Sequence, residues 1–261
     1  MPDILARRHA PALAQFASSN VLLAFDYDGT LAPITPYPER ARMRERTRRL
    51  LVAAAIRYPC IVISGRGWSD VAARVDGIPL LHVYGNHGLE PWAHTAGHAA
   101  TVRQWIDRLE HLRTYPGLAI EDKTYSVAIH YRHVRQKRRV RRAIEAAVRR
   151  LPGTRVVGGK EAVNLVPASA PDKGAALEHA RKVLACDCSI YVGDDDTDED
   201  AFAAAPSERL LSVRVGRSRN STARYYVAEQ ADIDSLLRVL VAARPLQNGR
   251  GGPVPLERAR R

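Results

Sequence analysis

The chain has 261 residues, of which 46% are hydrophobic and 26% are charged, and these fractions exclude a collagen-like or a disordered chain. The length allows one large domain or two modest ones. The net charge of +12 would suit an anionic partner such as nucleic acid, but it is confined to two segments, because 132–150 carries nine Lys or Arg against one Glu and 244–261 carries five against one.

Short apolar runs alternate with helical patterns toward both ends of the chain. The runs are 21–25, 61–63, 80–84 and 190–192, and they lead into Asp26, Ser64, Gly85 and Gly193. Helical patterns lie at about 44–57, 68–75 and 172–185, with Asp172 as the expected N-cap of the last. Continuously apolar strands that alternate with helices are typical of a parallel sheet covered on both faces. We therefore predict an α/β fold with a doubly wound parallel-sheet core.

The middle of the chain follows a different order of elements. A helix at about 98–112 precedes two strand candidates, then a basic helix, then two more strands; the strands are 118–122, 125–131, 155–157 and 162–166. This order predicts an antiparallel sheet backed by two helices. We therefore expect an inserted α+β cap domain at 94–166 and a core formed by 1–93 and 167–243.

The two basic segments differ in character. Val140, Ile144, Ala147, Val148 and Leu151 recur at helical spacing, which predicts an amphipathic helix with a basic outer face. That face is either simply solvated or an anion-binding surface. The tail at 244–261 has few apolar residues, so we expect it to be disordered.

Polar motifs follow the predicted strands where they end, which is where ligands bind in a doubly wound sheet. They are DYDGT at 26–30, SGR at 64–66 and GDDDTD at 193–198, and Lys173 lies at the start of a helix. Asp28 and Gly29 alone would be ordinary turn residues. Four converging carboxylates, however, repel one another unless a hard cation such as Mg²⁺ lies between them.

In order and composition these motifs resemble the haloacid-dehalogenase superfamily of phosphotransferases. The resemblance implies that Asp26 is the nucleophile, which forms an aspartyl-phosphate, and that Asp28 is the general acid and base. It also implies a phosphate site and a Mg²⁺ site. The phosphate site would comprise Thr30, Ser64, Gly65 and Lys173, and the metal site Asp26, Asp28 through its main-chain carbonyl, Asp194 and Asp198.

A narrower resemblance covers both predicted domains, from about 20 to 202. The segments DYDGTLAPI (26–34), GNHGLE (85–90), EDKTYSVAIHYR (121–132) and GDDDTDEDAF (193–202) look like those of trehalose-6-phosphate phosphatases. That family hydrolyses trehalose 6-phosphate to trehalose and phosphate. The resemblance therefore implies a small-molecule sugar phosphate as the partner of this chain.

The family resemblance also assigns candidate sugar-binding residues, since sugar hydroxyls are recognised by polar side chains beneath a closing cap. They are Glu121, Lys123, His130, Arg132 and Lys160 in the cap, with Arg66 and His87 near the interface. One position departs from the family pattern: Asn164 stands where a Glu is usual. An amide donates as well as accepts, so the identity of the sugar is open.

Several alternatives follow from these residues. The nearest enzyme rivals are a phosphatase for another sugar or pseudo-sugar phosphate and a phosphomutase, and an inert sugar-phosphate sensor is a further one. A nucleic-acid-binding module would leave the Asp clusters unexplained, so we expect no nucleic-acid partner. No apolar stretch reaches the roughly 20 residues of a membrane span, and the N-terminus lacks a secretory pattern. We therefore expect no membrane partner and a cytoplasmic location, with the oligomeric state left open.

Overall fold

A computed structural model describes residues 1–91, 96–159 and 161–245, and in these residues ten strands form two separate sheets. The strands are β1 (Val21–Phe25), β2 (Cys60–Ile63), β3 (His82–Tyr84), β4 (Ala119–Asp122), β5 (Val127–His130), β6 (Thr154–Gly159), β7 (Ala162–Pro167), β8 (Cys188–Gly193), β9 (Leu210–Val215) and β10 (Tyr225–Val227). The α-helices are α1 (Ala10–Ser18), α2 (Glu45–Ala55), α3 (Trp68–Arg74), α4 (Ala96–Leu109), α5 (Lys137–Val148), α6 (Lys173–Val183), α7 (Glu199–Phe202) and α8 (Ile233–Ala243).

The larger sheet has the strand order β10-β9-β8-β1-β2-β3, and every neighbouring pair is parallel. Every residue of the central strand, β1, is buried. Because successive side chains of a strand point to opposite faces, both faces of the sheet are covered at this strand. Leu23 and Phe25 pack with residues of α1, α2 and α8, whereas Leu22 and Ala24 pack with residues of α6 and α7. This arrangement confirms the predicted doubly wound α/β core, which we call the core below.

The smaller sheet has the order β4-β5-β7-β6 and is antiparallel throughout. One face packs against α4 and α5 through a separate apolar cluster that contains Trp105, Ile129, Ile144 and Leu165. We call this unit the cap, and it confirms the predicted α+β insertion. The boundaries at 94 and 166 stay predictions, although β7 continues to Pro167.

The basic helix α5 is amphipathic, as its spacing predicts. Val140, Ile144 and Val148 are buried, while Arg138 and Arg142 are exposed. The residues that could bind an anion therefore point away from the interior of the cap. Whether these residues bind an anion or are simply solvated stays open as a prediction.

Two of the sequence-based predictions lie outside the described residues. They concern Lys160 in the cap and the tail from 246 onward. Among the helices that the structure describes, none has both the length and the apolar character needed to cross a bilayer.

Candidate active site

Four neighbouring strands of the core deliver the predicted motifs to one edge of the sheet. Asp26 follows β1, Asp194 follows β8 and Ser64 follows β2, while β3 leads into the segment that contains His87. Because these strands are parallel and adjacent, their carboxyl ends meet. Lys173 approaches from the first turn of α6, whose N-cap Asp172 accepts a hydrogen bond from the Ala175 amide at 2.8 Å.

The centre of this edge is a cluster of three buried carboxylates. Asp26, Asp194 and Asp198 each present an oxygen within 4.8 Å of the others. The Lys173 ammonium donates to Asp26 Oδ1 and to Asp198 Oδ1, both at 2.7 Å. Burial raises the pKa of Asp26 well above its usual range, and Asp198 and Asp194 raise it further, opposed by Lys173. Three carboxylate oxygens converge beside one ammonium, and such a set of oxygen donors suits a hard divalent cation.

Asp198 is fully engaged by donors of the protein itself. Its Oδ1 accepts from Lys173 and from the Tyr191 hydroxyl at 2.6 Å, and its Oδ2 accepts from the amides of Asp194 and Asp195 at 2.8 and 2.9 Å. Asp198 is 0% exposed. We therefore infer that it orients Lys173 and shapes the loop after β8, and that it lies behind Asp26 and Asp194 as seen from the cleft.

Two glycines let the motif loops approach each other this closely. Gly29 has φ +83°, and a Cβ built on it would lie 2.2 Å from Asp194 Oδ2. A Cβ on Gly193 would lie 2.2 Å from Asp198 Cγ. Real contacts of this kind do not occur, so a side chain at either position would displace the carboxylate. Both glycines are requirements of the acidic cluster.

Asp28 lies nearer the solvent and is held by Arg66. The Arg66 guanidinium donates from Nε to Asp28 Oδ2 at 2.6 Å and from Nη2 to Asp28 Oδ1 at 2.7 Å. Such a two-bond pairing is among the strongest ionic contacts in proteins. The Asp28 side chain is 37% exposed and the Arg66 side chain 11%. In this geometry both oxygens of the predicted acid are occupied.

A cleft of about 870 Å³ separates the acidic cluster from the open face of the cap sheet. The predicted residues that line it are Asp26, Asp28, Gly65, Arg66, His87, Glu121, Lys123, His130, Arg132, Asn164, Lys173 and Asp194. Thr30, Ser64 and Asp198 are buried and are not part of this lining. The Ser64 hydroxyl accepts from the Arg66 amide at 3.2 Å, and the Thr30 hydroxyl has no hydrogen-bond partner in the described part of the chain.

The cap residues reach the cleft because of strand alternation. Ile120, Ile129 and Leu165 point to the cap helices, so their neighbours Glu121, Ala128, His130 and Asn164 point the other way. Glu121 and His130 form a pair, with 2.8 Å between Oε2 and Nε2. The hydrogen bond from His130 lowers the pKa of Glu121. One face of the cap sheet is therefore apolar and packed, and the other is polar and faces the acidic cluster.

Cap and core also touch directly across the cleft. The Lys123 ammonium donates to the Gly65 carbonyl at 3.1 Å, and the Ser126 hydroxyl donates to Asn86 Oδ1 at 2.6 Å. Arg132 lies 3.4 Å from the carbonyls of Thr35 and Pro36. Burial lowers the pKa of Lys123, partly opposed by Glu121. These contacts hold the cap against the core on both sides of the cleft.

His87 lies at the junction of cap and core, in a backbone conformation with φ 60°. It is 6% exposed, and neither ring nitrogen has a hydrogen-bond partner among the described residues. Burial lowers its pKa well below the usual range, and the charges of Lys173, Lys123 and Arg155 lower it further. The imidazole is therefore neutral at pH 7 and can donate or accept.

The sequence of this site matches a known family. Residues 24–231 fit the family described as trehalose-phosphatase, a range that contains all four motifs and the whole cap sheet. The chain belongs to the trehalose-phosphatase family. This membership confirms the resemblance found in the sequence.

Individual relatives of this trehalose-phosphatase family member agree in name and fold. A trehalose-phosphate phosphatase of Mycobacterium avium is 39% identical over 69% of this chain, and this chain spans half of that relative's length. A probable trehalose-phosphate phosphatase of Oryza sativa is 27% identical over 90% of the chain and 71% of its own length. A trehalose-6-phosphate phosphatase structure from Aspergillus fumigatus covers 93% of this chain and all of that one, at 26% identity and a TM-score of 0.63.

A further solved structure supports the fold alone. The C-terminal domain of the Candida albicans trehalose-6-phosphate phosphatase has a TM-score of 0.77 at 21% identity, covering 92% of this chain and 98% of that one. Its agreement over both units shows that the arrangement of core and cap is shared.

Sequence reasoning missed some residues of this trehalose-phosphatase site. Tyr191, which donates to Asp198, is hidden in a continuously apolar strand, and only its contact distinguishes it from a core residue. Asp70, which contacts both Arg66 and Arg74, and Arg74 itself follow the SGR motif at helical spacing. That spacing of opposite charges is the one signal that would have indicated them.

Proposed function

We propose that this chain hydrolyses trehalose 6-phosphate to trehalose and phosphate through an aspartyl-phosphate on Asp26. The observation that carries the proposal is the shared cleft. One wall holds Asp26 and Lys173, which suit phosphoryl transfer, and the other holds the polar face of the cap sheet, which suits a sugar. A phosphate ester of a sugar spans both walls.

In the first half-reaction Asp26 is the nucleophile. Its carboxylate attacks the phosphorus, the bond between phosphorus and the sugar oxygen breaks, and that oxygen takes a proton from Asp28. Lys173 lies 2.7 Å from Asp26 Oδ1, so its charge orients the nucleophile and counters the negative charge of the phosphate. Ser64 and Gly65, at the end of β2, are proposed to contribute to phosphate binding.

In the second half-reaction Asp28 acts as the base. It takes a proton from a water molecule, which attacks the phosphorus of the aspartyl-phosphate and releases inorganic phosphate and Asp26. Asp28 suits both tasks because it is partly exposed at the cleft, whereas Asp26 is buried. Movement of Arg66 away from Asp28 would open the shared edge of both Asp28 oxygens to the leaving oxygen and to water.

The acidic cluster fits Mg²⁺ by its donor set. Carboxylate oxygens are the ligands this ion prefers, and three of them lie within 4.8 Å of one another here. Asp26, Asp194 and the main-chain carbonyl of Asp28 would hold the ion, with Asp198 behind them. When bound, Mg²⁺ would draw the anionic phosphate toward the anionic nucleophile and spread the charge of the transition state.

The cap supplies sugar recognition. Glu121, Lys123, His130 and Arg132 offer both donors and acceptors on its cleft face. The contacts of Lys123 and Ser126 with the core narrow the routes by which water enters. Sugar hydroxyls therefore replace water as the partners of these side chains.

Asn164 favours a second candidate, a phosphatase for a different sugar or pseudo-sugar phosphate. Its side chain belongs to the cleft lining and the residue is 9% exposed. An amide there can donate to an acceptor that a carboxylate would repel. The phosphatase chemistry is the same in both candidates.

A substrate panel tests the proposal. Phosphate release from trehalose 6-phosphate, glucose 6-phosphate, sucrose 6-phosphate and p-nitrophenyl phosphate is measured, with Asp26→Asn as the background control. Two charge-assisted contacts from the cap give an expected preference of about 100-fold in kcat/KM for trehalose 6-phosphate over p-nitrophenyl phosphate. Equal rates would refute this substrate, and a higher rate on another sugar phosphate would favour the second candidate. Labelled water separates hydrolysis from mutase activity, because only a hydrolase places its oxygen in free phosphate.

We also propose a reducing compartment, the cytosol. Cys60, Cys186 and Cys188 are all buried as free thiols. Burial raises the pKa of each thiol, which keeps it protonated and unreactive.

A further inference from the structure

Arg66 is the centre of a chain of ionic contacts along one wall of the cleft. Two of its nitrogens bind Asp28, and a third, Nη1, donates to Asp70 Oδ2 at 2.6 Å. Nη2 also donates to the Pro38 carbonyl at 2.7 Å. The guanidinium therefore bridges the predicted acid on one side and α3 on the other.

Asp70 is held in turn by Arg74. Arg74 Nε donates to Asp70 Oδ1 at 2.9 Å, and Arg74 also donates to the carbonyls of Ala41 and Glu39. The Arg74 side chain is 8% exposed, so it is fixed between α3 and the loop before α2. Asp70 and Arg74 are four residues apart on one side of α3, and Arg66 lies just before this helix. Asp70, which Arg74 holds in place, is thus a fixed contact of the Arg66 guanidinium.

These contacts favour the charged forms of Asp70 and Arg66. Burial raises the pKa of Asp70, but hydrogen bonds and charge from Arg66 and Arg74 outweigh burial and lower it overall. Burial opposes the charge on Arg66, but its contacts with Asp28 and Asp70 raise its pKa overall. Arg66 is therefore a cation while it contacts Asp28.

The occupied oxygens of Asp28 imply that Arg66 moves during turnover. In the two-bond pairing Arg66 covers the edge that both Asp28 oxygens share, so a leaving oxygen reaches that edge only after Arg66 has moved. Of the two carboxylates that bind Arg66, Asp28 is the one beside the phosphate site. An incoming phosphate monoester offers the same two-bond geometry to the Nε and Nη2 edge. The third nitrogen, Nη1, can meanwhile stay on Asp70.

We propose that Asp70 is a positioning residue: with Arg74 it holds the Arg66 guanidinium beside Asp28, so that this guanidinium transfers from Asp28 to the phosphate group of the substrate. The transfer binds the phosphate and frees Asp28 in one movement. The proposal rests on the proposed phosphatase function but not on the identity of the sugar.

Whether the Asp70 charge strengthens or weakens phosphate binding depends on how exposed its side chain is. As an anion it also repels phosphate, but its side chain is 46% exposed, so solvent and salt screen that repulsion. Because Asp70 already orders the Arg66 side chain, phosphate binding does not carry the entropy cost of ordering it. Positioning therefore outweighs repulsion, and loss of the Asp70 charge weakens phosphate binding.

The test is the affinity of the full chain for inorganic phosphate in the presence of Mg²⁺, measured by calorimetry. Asp70→Asn keeps the size of the side chain and removes its charge, and we expect roughly tenfold weaker phosphate binding, the worth of one charge-assisted hydrogen bond. Asp76→Asn is the matched control, because Asp76 is an exposed Asp that follows the same helix and is not part of the cleft lining. Asp70→Glu restores the carboxylate, so we expect it to recover most of the affinity.

A double-mutant cycle with Arg66→Gln separates positioning from a general structural role. If Asp70 acts through Arg66, Asp70→Asn lowers the affinity for phosphate by less than twofold in the Arg66→Gln background. Equal losses with and without Arg66, unchanged affinity in Asp70→Asn, or tighter phosphate binding would each overturn the proposal. If these affinities follow expectation while trehalose 6-phosphate is not hydrolysed, the sugar assignment fails and the role of Asp70 stands. If wild-type chain neither binds phosphate nor hydrolyses any phosphomonoester, both proposals fail.

Discussion

The substitution Gly29→Ala tests the acidic cluster most directly, because two separate penalties meet at one position. The backbone of Gly29 has φ +83°, which costs an L-residue about 1–2 kcal/mol. The new Cβ would also lie 2.2 Å from Asp194 Oδ2. The first penalty lowers stability, and the second moves a carboxylate by an ångström or more.

The expected magnitudes follow from these two terms. For a chain of this size, 1–2 kcal/mol lowers Tm by roughly 2–8 °C. A displacement of about 1 Å in a catalytic geometry costs on the order of 100-fold in rate. We therefore expect Gly29→Ala to remain folded at 25 °C and to lose about 100-fold in kcat, with a higher Mg²⁺ concentration needed for half-maximal rate.

Gly216→Ala is the matched control. Gly216 has φ +80° but open space around its Cβ position, so the control carries the backbone penalty alone. Both variants are compared by thermal unfolding and by p-nitrophenyl phosphate hydrolysis over a Mg²⁺ titration. Similar Tm values with a large difference in rate are expected. Rates within about threefold of each other would refute the reasoning that Gly29 is needed for the position of Asp194.

The remaining predictions concern the nucleophile, the cap and the cation. Asp26→Asn leaves the fold intact by circular dichroism and reduces turnover to background, because the amide is not a nucleophile; measurable turnover would contradict the assignment. Lys123→Ala lowers kcat/KM for trehalose 6-phosphate by roughly 10- to 100-fold and for p-nitrophenyl phosphate by less than about threefold, since only the sugar meets the cap. Lys182→Ala, an exposed Lys of α6, is the control, and equal losses on both substrates would remove Lys123 from the sugar site. Excess EDTA abolishes phosphate release and added Mg²⁺ restores it; activity that persists in chelator would exclude a required divalent ion.

The fold was predictable wherever a single property repeated along the chain. β1 and β8 are continuously apolar, and their period and length identify them without any tertiary information. The cap strands were predicted as ranges only, and which of their residues share a face became clear from their pairing in the structure. Asp172 was predictable as an N-cap because capping is local.

Two elements that were not predicted, β9 and α8, each carry a buried polar residue. β9 carries Ser212, which is 3% exposed and accepts from the Arg224 amide, so the strand does not read as an apolar run. α8 carries the buried Asp234, which accepts from the Thr47 hydroxyl at 2.6 Å. Thr47 is 187 positions from Asp234, so no local pattern indicates the hydrogen-bond partner that stabilises the buried Asp234 carboxylate. α1 and β10 were also left unassigned.

The features of the site also fall into those that the sequence predicted and those that it did not. The residue types and their order predicted four converging carboxylates, because the ends of parallel strands meet, and the structure groups three of them, Asp26, Asp194 and Asp198. Which carboxylate receives which donor was not predictable. The resemblance assigned Asp198 to the metal site, either as a ligand or just behind the ligands, but the sequence did not indicate the four protein donors that bind it. The pairing of Asp28 with Arg66 joins positions 38 apart and depends on how two loops pack.

The separate apolar interiors of core and cap have an evolutionary consequence. In the cap strands, one set of alternate residues builds the interior and the other set faces the cleft. Mutations at positions such as Glu121 or Asn164 can therefore alter ligand preference with little effect on the stability of either interior. Phosphoryl chemistry and substrate choice can drift independently in such an enzyme, and a lineage can acquire a new substrate while its hydrolytic machinery is inherited unchanged.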